Sequence, residues 1–361
     1  MKRKMKSDWP TIAGAFAAQI SHDALHPTAM LTALADHQRE LRKGIRGASR
    51  WALAVSGGAD SLAMLLIFWA EGPGRWGRDF VVLHFNHRLR GRAADADEKF
   101  CAQVCAALGL KFIAARWLGA HKGASEADAR AARFEFFSRE MKRRKIRLLW
   151  LGHQQDDIAE TMFMRLARGS GTAGLAAPKP AQAMPEGRWH LRPMLSLKKA
   201  AIVTALRKAG ATWREDATNA GSDYFRNRVR REVLPAWQKA ADRDALGGVA
   251  RSRELLEEDD AALEAWLAEL RPLTAGGSLN LSKLKGKPRG LVRRALHRWM
   301  LAQSVAIRIS RQAFDALLHD VAAGRATQHS MGRDTFAVIA KDRLRLVTIR
   351  KKGPGFHRRA N

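Results

Sequence analysis

A loop between an apolar segment and a helical one carries the residues with the clearest chemical meaning in this sequence. It consists of Ser56, Gly57, Gly58, Ala59, Asp60 and Ser61. The two glycines allow a tight turn with bare N–H groups, the serines add hydroxyl donors, and the following helix directs its positive end at the loop. These features predict an anion site suited to pyrophosphate. The loop has neither the Walker A lysine nor the GxGxxG spacing, so it belongs to neither of those classes.

The elements that position this loop follow from the apolar pattern after about residue 50. Continuous apolar runs, typical of strands covered on both faces, occupy Trp51–Val55, Phe80–Phe85, Lys111–Trp117 and Leu148–Gly152. Helical spacing separates them over Ser61–Ala70, Asp95–Leu108 and Ser125–Lys145. This order predicts an α/β domain with a doubly wound, mostly parallel, Rossmann-like sheet. Ligands bind such sheets beyond the carboxyl ends of the strands.

Changes in the pattern also predict domain boundaries. Strand-like runs stop after about Pro235, and the chain is then mostly helical until two short strands near its end. We therefore divide the chain into an N-terminal extension (1–45), the α/β domain (46–240), a smaller, mostly helical α+β domain (241–349) and a basic tail (350–361).

Charge and cysteine content restrict the class of protein. Lys and Arg number 64 against 35 Asp and Glu, which gives a net charge of +29. Such a surface attracts polyanions, of which RNA or DNA is the expected one, although solubility alone is the alternative explanation. No apolar run reaches the roughly 18–20 residues of a membrane helix, so we expect no membrane association. Cys101 and Cys105 have helix-core spacing and form no CxxC pair, which favours a reducing cytoplasm.

Further polar motifs follow the predicted strands. They are His84–Arg90, Glu126–Arg130, Arg133-Phe134, His153–Thr161, Arg168–Gly171, Arg192-Pro193, Glu215–Asn219 and Arg226–Arg230. The Ser-Gly-Gly-x-Asp-Ser loop is similar to that of the N-type ATP pyrophosphatases. In this order and spacing, the whole set over about residues 50–237 resembles the tRNA(Ile)-lysidine synthases. The chain departs from that family's pattern at Gln154, where a histidine is frequent, and at Thr218, where serine is usual.

The resemblance implies a fold of the adenine nucleotide alpha hydrolase type and a reaction in two steps. ATP adenylates O2 of the wobble cytidine, position 34, of an isoleucine tRNA with a CAU anticodon, and pyrophosphate leaves. The ε-amine of free lysine then attacks C2 and AMP leaves. The product, lysidine, changes codon reading from AUG to AUA. We therefore expect a cytoplasmic, ATP-dependent carbon–nitrogen ligase that uses Mg²⁺; whether it forms a homodimer stays open.

The resemblance also implies roles for the loop residues. ATP is expected to bind Ser56, Gly57, Gly58, Ala59, Asp60, Ser61 and His84. Asp60 is expected to act in catalysis, either by holding Mg²⁺ beside the phosphates or by positioning the cytosine. For His84, contact with adenine, ribose or the target base competes with a structural role as a hydrogen-bonded histidine.

Lysine and phosphate sites are expected on two later segments. Asp157 and Glu160 lie three residues apart at the start of a helix, so both carboxylates project from one face. We expect them to bind lysine and one of them to act as base, whereas the alternative is a solvated helix start. Arg228 is the expected catalytic arginine, since a guanidinium meets two phosphate oxygens at once. Contacts to tRNA or phosphate are expected from Arg130, Arg168, Arg192, Asn219, Arg226, Asn227 and Arg230.

Three other classes of protein are the alternatives. A tRNA thiolase of the same superfamily needs a persulfide or an iron–sulfur cluster, but Cys101 and Cys105 are expected in the core. A synthetase of small molecules such as GMP or NAD has no need of a charge of +29. An inactive RNA-binding protein is disfavoured, because the loop and its neighbouring acids are intact.

Overall fold

The computed structural model describes most of the chain. The described residues are 8–20, 25, 51–75, 80–121, 124–215, 225–305, 307, 309–332 and 334–348. Asn219, most of the predicted extension at 1–45 and the predicted tail at 350–361 lie outside them. Two compact units divide the chain, Met1–Glu257 and Glu258–Asn361. The boundary between these units lies after Glu257, later than residue 240, at which the sequence pattern predicts it.

A six-stranded sheet forms the centre of the first unit. Its strands are β1 (Trp51–Ala54), β2 (Phe80–Asn86), β3 (Lys111–Arg116), β4 (Leu148–Leu151), β5 (Ala181–Met184) and β6 (Arg188–Leu191). Their spatial order is β3-β2-β1-β4-β6-β5. Neighbours pair in parallel except β5, which is antiparallel to β6. The predicted mostly parallel sheet is confirmed, and its strand order reverses between β1 and β4, where ligands bind such sheets.

Helices cover both faces of this sheet. In chain order the unit contains α1 (Trp9–Ala17), α2 (Ala59–Arg75), α3 (Arg92–Ala107), α4 (Glu126–Arg143), α5 (Gln155–Leu166), α6 (Thr172–Leu175), α7 (Lys199–Lys208), α8 (Phe225–Arg228) and α9 (Leu234–Ala240). Leu53 and Trp150 pack in an apolar cluster with α1, α2, α3 and α7. The neighbouring strand residues Ala52 and Leu149 pack instead against aromatic residues of α4. Burial of both faces explains why these strands are continuously apolar.

The second unit is a smaller α+β assembly. Helix α10 (Ala245–Leu270) contains the boundary between the units, and α11 (Arg289–Leu301) and α12 (Arg311–Ala323) follow. The antiparallel sheet has the order β7-β10-β9-β8, with β7 at Leu279–Asn280, β8 at Gln328–Gly332, β9 at Thr335–Ala340 and β10 at Arg343–Thr348. The predicted helical α+β character of this part is confirmed. In the described part of either unit, no helix is long and apolar enough to cross a membrane.

Candidate active site

The loop between β1 and α2 has a backbone conformation that requires glycine. Gly57 has a φ of +93°, which residues with a side chain rarely adopt. A Cβ atom at this position would lie 3.1 Å from Sγ of Cys101 on α3. The N–H of Arg214 donates a hydrogen bond of 2.9 Å to Gly57 O. The loop is therefore packed closely against α3 and against the segment that follows α7.

The two serines of the loop hold it closed. Ser56 N donates to Ser61 Oγ at 3.1 Å, and the two hydroxyl oxygens are also 3.1 Å apart. Ser61 Oγ donates to Gly58 O at 3.1 Å. Ser56 is exposed, whereas Ser61 is buried. The loop is thus ordered by its own polar groups. Both hydroxyls were expected as donors to an anion, whereas that of Ser61 donates within the loop.

Gly152, at the end of β4, brings a second strand end against this loop. A Cβ atom at Gly152 would lie 3.0 Å from the carbonyl oxygen of Asp60 and 3.1 Å from Cα of Ser61. Only glycine lets β4 approach the start of α2 so closely. Gly152 was predicted merely as the end of a strand, although a glycine at that point is the signal of a close approach.

A cleft of about 1190 Å³ opens at the carboxyl ends of β1, β2 and β4. The predicted site residues that line it are Ser56, Asp60, Ser61, His84, Arg130, Asp157, Arg226, Asn227 and Arg230. These residues were predicted for nucleotide, lysine and phosphate binding from separate segments. The structure brings them together in one cleft.

Asp60 presents a free carboxylate oxygen in this cleft. Its Oδ1 is buried without a hydrogen-bond partner, and its Oδ2 lies 3.8 Å from Nζ of Lys199. Burial is the main cause that raises the pKa of Asp60 to about 6. The described residues contain no group of three His, Cys, Asp or Glu side chains that could hold a metal ion. One free carboxylate oxygen fits Mg²⁺ that takes its other ligands from phosphates and water.

Asp157 and Glu160 lie together on α5, but arginines already occupy their carboxylates. Arg226 donates from Nη2 to Asp157 Oδ1 at 2.5 Å and from Nε to Glu160 Oε2 at 2.7 Å. Arg230 also binds both oxygens of Glu160, which is 1% exposed. The shared helix face was expected, whereas the arginine partners were not. Both acids thus accept on both oxygens, Glu160 from the two arginines and Asp157 from Arg226 and, at Oδ2, from Gln154 N at 3.0 Å. They differ in that Asp157 lines the cleft and Glu160 does not.

His84 has a structural hydrogen bond at the edge of the cleft. Its Nδ1 lies 2.9 Å from Val55 O, and the residue is 3% exposed. Because a carbonyl oxygen only accepts, Nδ1 carries the proton in this bond. Burial lowers the pKa of His84, which favours the neutral ring. His84 therefore ties β2 to the end of β1 and also lines the cleft.

Three predicted arginines are not among the residues that line the cleft. Arg168 is exposed beyond the end of α5. Arg192 is 4% exposed and donates to Lys179 O at 2.7 Å and to Gln182 Oε1 at 2.9 Å. Arg228, the expected catalytic arginine, is exposed, with its guanidinium 5.8 Å from the ring centroid of Phe225. The helical turn explains this position, because residues 226 and 230 share one face and 228 projects from another.

Further polar residues line the cleft that the sequence analysis did not assign to the site. Arg133 has a buried Nε without a hydrogen-bond partner, and burial lowers its pKa to about 10. Burial also lowers the pKa of His153 well below its usual value. Asp97 accepts from Arg90 Nη2 and from Arg214 Nε, each at 2.7 Å. Arg133 and His153 belong to motifs that were identified from the sequence. Asp97 belongs to no motif, and its place on a predicted helix does not indicate a functional role.

Comparisons with known proteins agree with this geometry. A family profile described as a PP-loop domain matches residues 30–237. A tRNA(Ile)-lysidine synthase of Geobacter sulfurreducens is 36% identical over 75% of this chain and 59% of its own length. One from Solibacter usitatus is 37% identical over 63% of this chain and 49% of its own length. One from Chlorobaculum tepidum is 32% identical over 64% of this chain and 72% of its own length.

The extent of these matches is sufficient to place the chain in a family. This chain spans about half the length of the Solibacter relative and somewhat more of the Geobacter relative. The family profile covers more than half of the chain, and the Chlorobaculum relative is covered over more than two thirds of its length. The chain therefore belongs to the tRNA(Ile)-lysidine synthases, a family built on the PP-loop domain.

Proposed function

We propose that this chain ligates free lysine to C2 of the wobble cytidine of an isoleucine tRNA with a CAU anticodon, through an adenylated cytidine. One observation carries the proposal. Residues of the phosphate loop, among them Asp60 with its unpartnered Oδ1, line the same cleft as a cluster of carboxylates and guanidinium groups. The names of the relatives supply the tRNA and the modified base.

In the first step, the pyrimidine O2 attacks the α phosphorus of ATP, and the bond to the β phosphate breaks. The N–H groups of the loop, the hydroxyl of Ser56 and the N-terminus of α2 bind the departing pyrophosphate. Asp60, whose Oδ1 has no hydrogen-bond partner, would hold Mg²⁺, which would supply neutralisation of phosphate charge. Adenylation turns a poor electrophile into one with a good leaving group at C2.

We assign the neutralisation of the charge on the α phosphate to Arg226 and Arg230 rather than to Arg228. Both line the cleft, and Glu160 binds both of their guanidinium groups. A guanidinium in a fixed orientation stabilises developing charge without reorganisation. Glu160 is thus a positioning residue in this proposal, since its oxygens face arginines.

In the second step, the ε-amine of lysine attacks C2, and AMP leaves with the oxygen. Asp157 is the acid of the predicted pair that lines the cleft, so we assign to it the contact with an ammonium group of lysine. Arg226 shares Asp157 Oδ1 and neutralises part of its charge. The amine must lose a proton before or during attack, and a carboxylate of the cleft accepts it.

The cysteines disfavour the rival reaction, sulfur transfer to a tRNA base. Cys101 is 1% exposed and Cys105 0% exposed, as core positions require. Burial raises the pKa of both thiols, which suppresses the thiolate that sulfur transfer needs. Neither thiol therefore has the exposure or the ionisation of a sulfur carrier.

Incorporation of label into RNA tests the proposal. The protein is incubated with ATP, Mg²⁺, radiolabelled lysine and a transcript of isoleucine tRNA with a CAU anticodon. We expect label in the RNA, and a loss of at least about 100-fold with Asp60→Asn. The matched control is Asp242→Asn, because Asp242 is 82% exposed and its ion pair with Arg243 lies at the surface.

Two results would contradict the proposal. The first is an RNA that gains no label from lysine but gains it from a sulfur donor supplied with cysteine. The second is a rate for Asp60→Asn equal to that of Asp242→Asn.

A further inference from the structure

Lys199 lies beside the phosphate loop, although no sequence motif singled it out. It is the first residue of α7, and its Nζ lies 3.8 Å from Asp60 Oδ2. Asp60 belongs to the first turn of α2, the helix whose positive end faces the loop. The Lys199 side chain is 40% exposed and lies beside Asp60, which lines the cleft, although Lys199 itself is not among the lining residues.

Main-chain contacts fix the position of Lys199. Its N–H donates to Asp156 Oδ2 at 3.0 Å, and Gln155 N donates to Leu197 O at 2.8 Å. These bonds join the start of α7 to the start of α5. The chain just before α5, at Gly152, packs in turn against the backbone of Asp60. Lys199 is therefore held next to the loop by a continuous set of contacts.

The chemistry of ATP cleavage gives this ammonium group a role. When the bond between the α and β phosphates breaks, the leaving pyrophosphate gains negative charge. An ammonium group is a compact charge with three rotatable donors, which suits phosphate oxygens that move as the bond breaks. The plain alternative is that Lys199 only neutralises Asp60.

We propose that Lys199 binds the β and γ phosphates of ATP and stabilises the pyrophosphate as it leaves, an inference that rests on the proposed function. Asp60 and Lys199 then have different roles at the N-terminus of α2. The carboxylate would hold the cation, and the ammonium group contacts phosphate oxygens directly.

Binding of ATP and of AMP distinguishes this role from mere neutralisation. Equilibrium dialysis with each radiolabelled nucleotide, in the presence of Mg²⁺, is carried out on the wild type and on Lys199→Met. We expect ATP affinity to fall about tenfold or more, as for a lost charged hydrogen bond, and AMP affinity to change by less than about twofold. Lys199→Arg keeps the charge and is expected to retain most of the ATP affinity.

The adjacent lysine provides the matched control. Lys198 Nζ lies 2.7 Å from Asp244 Oδ2 and is 45% exposed, so Lys198→Met removes a neighbouring charge that has another partner. It is expected to leave both affinities unchanged. Unchanged ATP affinity in Lys199→Met would overturn the inference, as would equal losses for ATP and AMP. A wild type that binds no ATP would overturn the proposed function as well.

Discussion

Asp60 and Glu160 show two ways of placing a carboxylate in one site. Glu160 is enclosed, but guanidinium groups bind both of its oxygens. Asp60 has one buried oxygen without a partner, and its pKa is raised to about 6 mainly by burial. Burial without a hydrogen-bond partner disfavours the charged form of an acid. A carboxylate oxygen of this kind can bind a cation. The first carboxylate therefore orders the site, and the second is available to a ligand.

The pH dependence of stability tests whether burial lowers the pKa of His190. This β6 residue is 8% exposed, and burial, assisted by Arg192 and Arg130, lowers its pKa from 6.5 to about 4. The unfolded chain binds a proton near pH 6.5, whereas the folded chain binds it only near pH 4. The contribution of His190 to the free energy of unfolding is therefore fully present above pH 6.5. It is lost as the pH drops towards 4, and the loss is up to about 3 kcal/mol.

The variant His190→Phe removes this titration and keeps a ring beside Phe134, whose centroid lies 5.2 Å away. Its free energy of unfolding should decline less than that of the wild type between pH 6.5 and pH 4. Urea denaturation at a series of pH values measures the difference. Parallel declines in the two proteins between pH 6.5 and pH 4 would show that His190 takes up its proton equally in the folded and the unfolded chain, so that burial does not lower its pKa.

At the scale of elements, the site depends on how strand ends are joined. The loop after β1 contacts α3 through Gly57 and the segment after α7 through Arg214. Asp97 on α3 binds both Arg214 and Arg90, which follows β2. A single buried carboxylate thus links three segments around the phosphate loop. We therefore expect Asp97 to influence ATP binding through Arg214, whose N–H donates to Gly57 O.

The substitution Asp97→Asn should therefore raise the KM for ATP, by about tenfold, and leave the KM for lysine unchanged. It should also destabilise the protein by roughly 1–3 kcal/mol, because the buried Asp97 side chain loses its ion pairs with Arg90 and Arg214. The matched control is Glu140→Gln. Glu140 is also buried and binds two arginines, Arg143 at 2.6 Å and Arg144 at 3.3 Å, but it does not line the cleft.

Steady-state kinetics and thermal unfolding of both variants separate the two effects. Glu140→Gln should lose stability without a change in either KM. If both variants raised the KM for ATP to the same degree, the cause would be general destabilisation. Asp97 would then have no positioning role.

At the scale of the whole molecule, local patterns predicted the sheet but not the pairing of charged groups. The continuous apolar runs located β1, β2 and β4, because burial on both faces leaves a local signal; β3, at the edge of the sheet, is only partly buried. The pair Arg226 and Glu160 is separated by 66 residues, so no local spacing encodes it. Arg228, which was expected to act in catalysis, is not among the residues that line the cleft for a related reason. Alternate charges along a chain do not reveal which face of a turn meets the cleft.

The net charge of +29 is the property of the whole molecule that bears most directly on tRNA. Binding of a polyanion by Lys and Arg releases condensed counterions, so affinity falls linearly with salt on logarithmic axes. We expect a slope steeper than about −2 for an isoleucine tRNA transcript, measured by filter binding over roughly 0.05–0.3 M salt. ATP is the control, because a small anion has no condensed counterion atmosphere, and its slope should be shallower. If the two slopes were equal, the basic surface would make no extended contact with the tRNA backbone, and the excess charge would serve solubility alone.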